Sequence, residues 1–195
     1  MTKRILCLGD SNTYGFDPRD PLEKRYPPAC RWTNILEELT GAQVVNMGQN
    51  GRTIPWRRQE VELTLGAIGK KLPLDLLIVM LGSNDALLMD EPRAEKIAGC
   101  MDAFLEKLRE RFPELPLLLI SPPLAEDLPF DGEIFARLAP CYRAVARRHG
   151  ARFASAAAWP LPMSSDGVHF SEEAHRIFAE KLCALLEGDG ESAEE

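Results

Sequence analysis

The chain has 195 residues with 45% hydrophobic and 27% charged side chains, ordinary values for a soluble globular protein long enough to bury one proper core. Its net charge of −7 carries five uncompensated acids in the last nine residues (Glu187, Asp189, Glu191, Glu194, Glu195), leaving the body near neutral, without the basic stripe of a nucleic-acid binder. No apolar run approaches the ~18–20 residues of a membrane span, and five widely spaced cysteines without a C-x-x-C speak against a disulfide framework or a zinc site.

The run Ile5-Leu6-Cys7-Leu8, ended by Gly9-Asp10-Ser11-Asn12, reads as a strand buried on both faces. It is too short for a signal-peptide core of ~7–15 residues, so cytoplasmic residence with reduced thiols is the expectation. Asp17–Pro28 is rich in proline and charge and reads as a surface loop. Trp32, Ile35, Leu36 and Leu39 recur at helical spacing; Val44–Met47 is a second short strand, ended by Gly48-Gln49-Asn50-Gly51; Arg57–Ile68 is a helix. Leu74–Leu81 is a third buried strand, ended by Gly82-Ser83-Asn84-Asp85. Pro92 opens a long helix striped by Ile97, Met101, Phe104, Leu105 and Leu108. Leu115–Ile120 is a fourth strand, Ile134 to Val145 mark a helix, Arg152–Ala156 is a weak fifth strand, and Ser171 caps a last helix.

Strand followed by helix, five times over, predicts a parallel sheet with helices on both faces. No linker or repeat interrupts it, so residues 1–187 are expected to form one domain and 188–195 an acidic tail. Ligands of open α/β sheets bind at the carboxyl ends of the strands, where the polar clusters of this chain fall. Each cluster alone is explained by turn chemistry. Together they offer a nucleophile (Ser11), a base (His169), an acid to orient that base (Asp166, three residues earlier), and three oxyanion donors: the Ser11 N–H, the Gly48 N–H and the Asn84 amide. Of the other histidines, His149 suits a helix C-terminus by charge and dipole, and His175 is expected to be a partly exposed helix residue. Tyr14, Ile54, Trp56, Leu87 and Phe170 adjoin the clusters and are candidate substrate contacts.

The four blocks resemble those of the SGNH hydrolases, the GDSL-type esterase superfamily: Ser11, Gly48, Asn84 and His169 match its defining residues, and Asp166 its triad acid. The segments Thr13-Tyr14-Gly15, Arg31-Trp32-Thr33, Leu72–Leu76 and Ser121-Pro122-Pro123 are similar to the bacterial arylesterase and acyltransferase branch. The resemblance implies a flavodoxin-like α/β/α sandwich with strand order 2-1-3-4-5. It also implies a serine esterase acting on short acyl or aryl esters, with no cofactor or metal and a small-molecule ester as its partner rather than nucleic acid or membrane. Some relatives assemble into rings, which makes a homo-oligomer an open expectation. The first block departs from the pattern, with Asn12 in place of leucine after the serine. Three other readings compete with it: a flavodoxin-like binding module built on Ser11–Gly15, which leaves Asp166 and His169 idle; a phosphoacceptor domain, which lacks a lysine after the fifth strand; and a metal site at Asp166, His169 and His175, which lacks helical ligand spacing.

Overall fold

The computed structural model describes residues 2–20, 22, 24–89, 93–124 and 133–188. Pro92 and the acidic residues beyond Gly188 lie outside the described residues.

Five strands, β1 (Arg4–Gly9), β2 (Gln43–Gly48), β3 (Leu76–Met80), β4 (Leu117–Ser121) and β5 (Arg152–Ser155), form one parallel sheet in the order β2-β1-β3-β4-β5. The helices are α1 (Ser11–Tyr14), α2 (Trp32–Thr40), α3 (Arg58–Gly69), α4 (Ser83–Leu88), α5 (Ala94–Arg111), α6 (Glu133–Arg148) and α7 (Glu172–Glu187). The expected α/β/α architecture and strand order are those observed.

Side-chain alternation along the central strands divides the core in two. Leu6, Leu8, Leu77, Val79, Leu117 and Leu119 point to one face and pack against α3, α5 and α6. Ile5, Cys7, Leu76, Ile78, Leu118 and Ile120 point to the other and pack against α2 and α7. Because β1, β3 and β4 are covered on both faces, every second residue has no reason to be polar, and the strands read as continuous apolar runs. Each such buried side chain contributes about 1.5–3 kcal/mol relative to an exposed one. The edge strands β2 and β5 are only half-buried.

The Asp17–Pro28 segment is less superficial than its composition suggests. Tyr26 is 1% exposed, with the Arg19 guanidinium 5.2 Å from its ring centre. Arg19 also bonds Asp17 and, at 2.8 Å, Glu172 at the start of α7, fastening the loop to that helix. His175 is likewise not a surface residue: it is fully buried, and its Nδ1 accepts the Trp32 N–H at 3.4 Å. Burial lowers its pKa to about 3, the nearby Arg31 charge acting the same way, so the ring is neutral. His149 at the end of α6 has a partner beyond the helix dipole, its Nε2 lying 2.8 Å from Asp102 Oδ1 on α5.

Candidate active site

The chain leaves β1 through Asp10, whose extended backbone and side chain cap α1: Asp10 Oδ1 accepts the Asn12 N–H at 3.0 Å. Burial pushes the Asp10 carboxyl up, against lowering by the Asn12 N–H, the Ser83 hydroxyl and His169. Ser11 is the first residue of this one-turn helix, so its own N–H has no intrahelical acceptor. Its side chain emerges at the carboxyl end of the sheet.

After β5 the chain makes a loop that returns to that end of the sheet. Within it, Asp166 Oδ1 accepts the N–H groups of Val168 (3.1 Å) and His169 (3.0 Å), and Oδ2 accepts the His169 Nδ1–H at 2.5 Å. Burial raises the Asp166 carboxyl, but the His169 N–H, the His169 ring and the Val168 N–H outweigh it and hold the group below the usual carboxylate range. With the proton of the ring on Nδ1, the lone pair is on Nε2, and Nε2 lies 2.9 Å from Ser11 Oγ. The Ser11 hydroxyl therefore donates to the imidazole. Ser11 is 7% exposed, whereas the His169 and Asp166 side chains are 19% and 35% exposed.

The turn after β3 brings the third segment. Gly82 adopts φ 121°, where a Cβ would stand 2.5 Å from the Tyr142 hydroxyl, so this position requires glycine. Asn84 follows in the first turn of α4, and its Nδ2 donates to the Arg52 carbonyl at 3.0 Å, leaving the second N–H of the amide without a partner among the described residues. Arg52 in turn spans the ends of β1 and β2, its guanidinium donating to the carbonyls of Gly9 and Met47 and to Gln49 Oε1. Next to Asn84, Asp85 is buried and accepts the Ile54 N–H, and burial raises its pKa to about 6.

Gly48 does not present a free N–H. That group donates to Asn46 Oδ1 at 2.8 Å, because the Asn46 amide is pinned beside it by bonds from its Nδ2 to the Thr13 carbonyl and the Thr33 hydroxyl. A Cβ on Gly48 would lie 2.1 Å from the Tyr14 nitrogen, so the glycine lets β2 pass α1 in close contact. Among the candidate substrate contacts, Ile54 and Phe170 are completely buried and are core residues, and Trp56 stands 63% exposed with Arg57 against its ring. Tyr14 and Leu87 are half-buried; Arg25 lies 4.3 Å from the Tyr14 ring centre. Sequence reasoning missed Phe16, half-buried, whose ring centre is 4.7 Å from that of His169, and Arg52, whose only signal was its place after the Asn50-Gly51 turn.

Residues 7–177 match the family model described as "GDSL-like Lipase/Acylhydrolase family". A GDSL lipase of Mycobacterium tuberculosis is 30% identical over 193 residues, spanning 93% of this chain and 80% of the relative. Among solved structures, the aryl esterase of M. smegmatis is 27% identical with a TM-score of 0.84, covering 95% of this chain and 99% of that one. A carbohydrate acetylesterase family member from Sinorhizobium meliloti is 26% identical with a TM-score of 0.79, covering 95% and 97%.

Proposed function

The chain belongs to the GDSL-like lipase/acylhydrolase family and is a carboxylic ester hydrolase; from that premise we propose that it cleaves short-chain esters of small or aryl alcohols through an acyl-enzyme on Ser11. The observation that carries this reading is the unbroken relay Ser11 Oγ, His169 Nε2, His169 Nδ1, Asp166 Oδ2, at 2.9 and 2.5 Å.

In this reading Ser11 Oγ attacks the ester carbonyl carbon as His169 Nε2 takes its proton. The carbonyl oxygen becomes an oxyanion facing the Ser11 N–H and the unused N–H of Asn84. With the Gly48 N–H taken by Asn46, the third donor is assigned to the Gly51 N–H. Gly51 is exposed, has no acceptor among the described residues, and immediately precedes the Arg52 carbonyl that holds Asn84. Collapse breaks the bond to the alkoxy or aryloxy oxygen, which takes the proton from His169. Water then attacks the acyl carbon, loses a proton to His169 and releases the acid as Ser11 recovers its own. Asp166 remains ionised throughout, holding the ring in one tautomer and stabilising the imidazolium. An alcohol in place of water yields an exchanged ester, so acyl transfer is a second outcome of the same intermediate.

The names of the similar proteins support the two parts of this reading separately: an aryl esterase the aryl alcohol, and a carbohydrate acetylesterase family member the small acyl group. All five cysteines are free thiols, which fits a reducing compartment such as the cytoplasm. Among the described residues no helix is long and apolar enough to cross a membrane.

A panel of p-nitrophenyl esters of rising acyl length, assayed with wild type and Ser11→Ala, tests the reading. Highest kcat/KM at the shortest acyl chains and loss of turnover in Ser11→Ala are expected. Activity retained by Ser11→Ala would overturn the Ser11 acyl-enzyme, and activity climbing with chain length would overturn the short-acyl assignment. A primary alcohol added to the assay is expected to divert product from acid to exchanged ester.

A further inference from the structure

Asn12, the residue that departs from the common motif, makes the contacts that join the two halves of the site. Its Nδ2 donates to the Val168 carbonyl at 3.2 Å, and its Oδ1 accepts the Phe170 N–H at 2.8 Å. Val168 and Phe170 are the two neighbours of His169, and Asn12 is the neighbour of Ser11. The two bonds therefore grip the chain on either side of the imidazole, one residue from the hydroxyl that the imidazole faces.

No other polar contact does this among the described residues. The bonds of Asp166 to Val168 and His169, and the bond from the Ser164 N–H to the His169 carbonyl, are internal to the loop. They set the ring's orientation within the loop but cannot set the loop's distance from α1. Of the hydrogen bonds that residues 166–170 make among the described residues, those that reach outside the loop are the two from Asn12 and the Ser11–His169 bond itself. Asn12 is in turn fixed: it is 3% exposed, its N–H donates to Asp10 Oδ1, and its carbonyl accepts the Trp32 indole N–H at 3.1 Å. Because a carbonyl faces one end of the amide and an N–H the other, only one orientation satisfies both. Leucine at this position would leave both backbone groups of the loop without that partner.

We propose that Asn12 is a positioning residue for ester hydrolysis, its side-chain amide clasping the loop on both sides of His169 and holding Nε2 within reach of Ser11 Oγ. This rests on the Ser11–His169 reading above. The test compares wild type, Asn12→Leu and Asn12→Ala on p-nitrophenyl acetate, each alone and combined with His169→Ala, with circular dichroism and thermal melting to establish folding. Both folded single variants are expected to lose kcat by about 10–100-fold, because a displaced base loses its near-attack geometry. Their KM is expected to stay within about twofold of wild type, since the amide does not touch substrate. In the His169→Ala background, replacing Asn12 is expected to cost nothing further. Wild-type kcat in either folded variant would overturn the proposal. So would an equal proportional loss in the His169→Ala background, which would mean that Asn12 does not act through the imidazole. Failure of both variants to fold would also overturn it, making Asn12 a residue of the core alone. Full activity in His169→Ala by itself would instead defeat the underlying triad reading.

Discussion

The turn after β1 and the loop after β5 bring the two proposed reacting groups, Ser11 and His169, together from opposite conditions. Asp10, Ser11, Asn12 and Thr13 are all less than a tenth exposed, set at the end of a strand covered on both faces. Asp166 and His169 stand on a half-exposed loop that begins beyond the shortest strand and returns through its own internal bonds. The proposed nucleophile is thus positioned by the core, whereas the proposed base is positioned by a few side-chain contacts and by the burial of Phe170. A hydroxyl has little conformational freedom to lose and tolerates burial; a base that must gain and release protons needs access to water. The division of labour follows from those needs, and it locates the fragile joint between the two segments rather than within either.

The hardest test of this comparison is to remove each partner in turn. Ser11→Ala and His169→Ala are each expected to lose more than about 10⁴-fold in kcat, and the double variant no more than either alone, because groups that act as a unit do not add. Additive losses measured in the three proteins would contradict a single relay. Asp166→Asn removes the charge but keeps an acceptor; it is expected to lose about 10²–10⁴-fold in kcat, toward the lower figure because water reaches this exposed carboxylate. Asn84→Ala is expected to lose about 10²–10³-fold in kcat with melting temperature nearly unchanged, as fits removal of one proposed oxyanion donor.

The smallest expected effect concerns stability, and its sign separates the buried floor from the exposed loop. Asp85, beside Asn84, has its pKa raised by burial to about 6. A raised carboxylate pKa means that the ionised form costs the folded state stability; protonation relieves that cost as pH falls through about 6 toward the ordinary carboxylate value. Asp85→Asn is therefore expected to melt higher than wild type at neutral pH, with the difference vanishing near pH 4. Asp166 behaves oppositely: its lowered pKa contributes stability at neutral pH that is lost only as pH falls below the ordinary carboxylate range. Melting curves of the two variants against pH should diverge in these directions.

Much of this architecture was legible from residue order, and the failures have physical causes. Strands β1, β3 and β4 are apolar on both faces because both faces are covered, so their limits could be read to within about two residues. Ser171 capped α7 as expected, its hydroxyl accepting the Ala174 N–H. The four-residue α1 and six-residue α4 were not visible, since so few residues complete no helical period. The convergence of the Ser11, Asp166 and His169 side chains was legible because their chemistry and their position after strands coincide. Ile54 and Phe170 were legible only as apolar neighbours of the polar clusters, and adjacency does not reveal which way a side chain turns; both turn into the core, and His175, expected to be partly exposed from its place in the last helix, lies on the buried face of α7. Gly48 was misread for another reason: its N–H was free only on paper, and the pinned Asn46 amide claims it. Asn12 was legible as a departure but not as a contact, because its partners lie 156 and 158 residues away.

Covalent trapping with a fluorophosphonate, followed by mass mapping of the adduct, addresses the convergence of these segments most directly. The phosphonyl group is expected on Ser11 alone, forming quickly in wild type and far more slowly in His169→Ala. An adduct on any other residue, or an unchanged labelling rate without the imidazole, would contradict it.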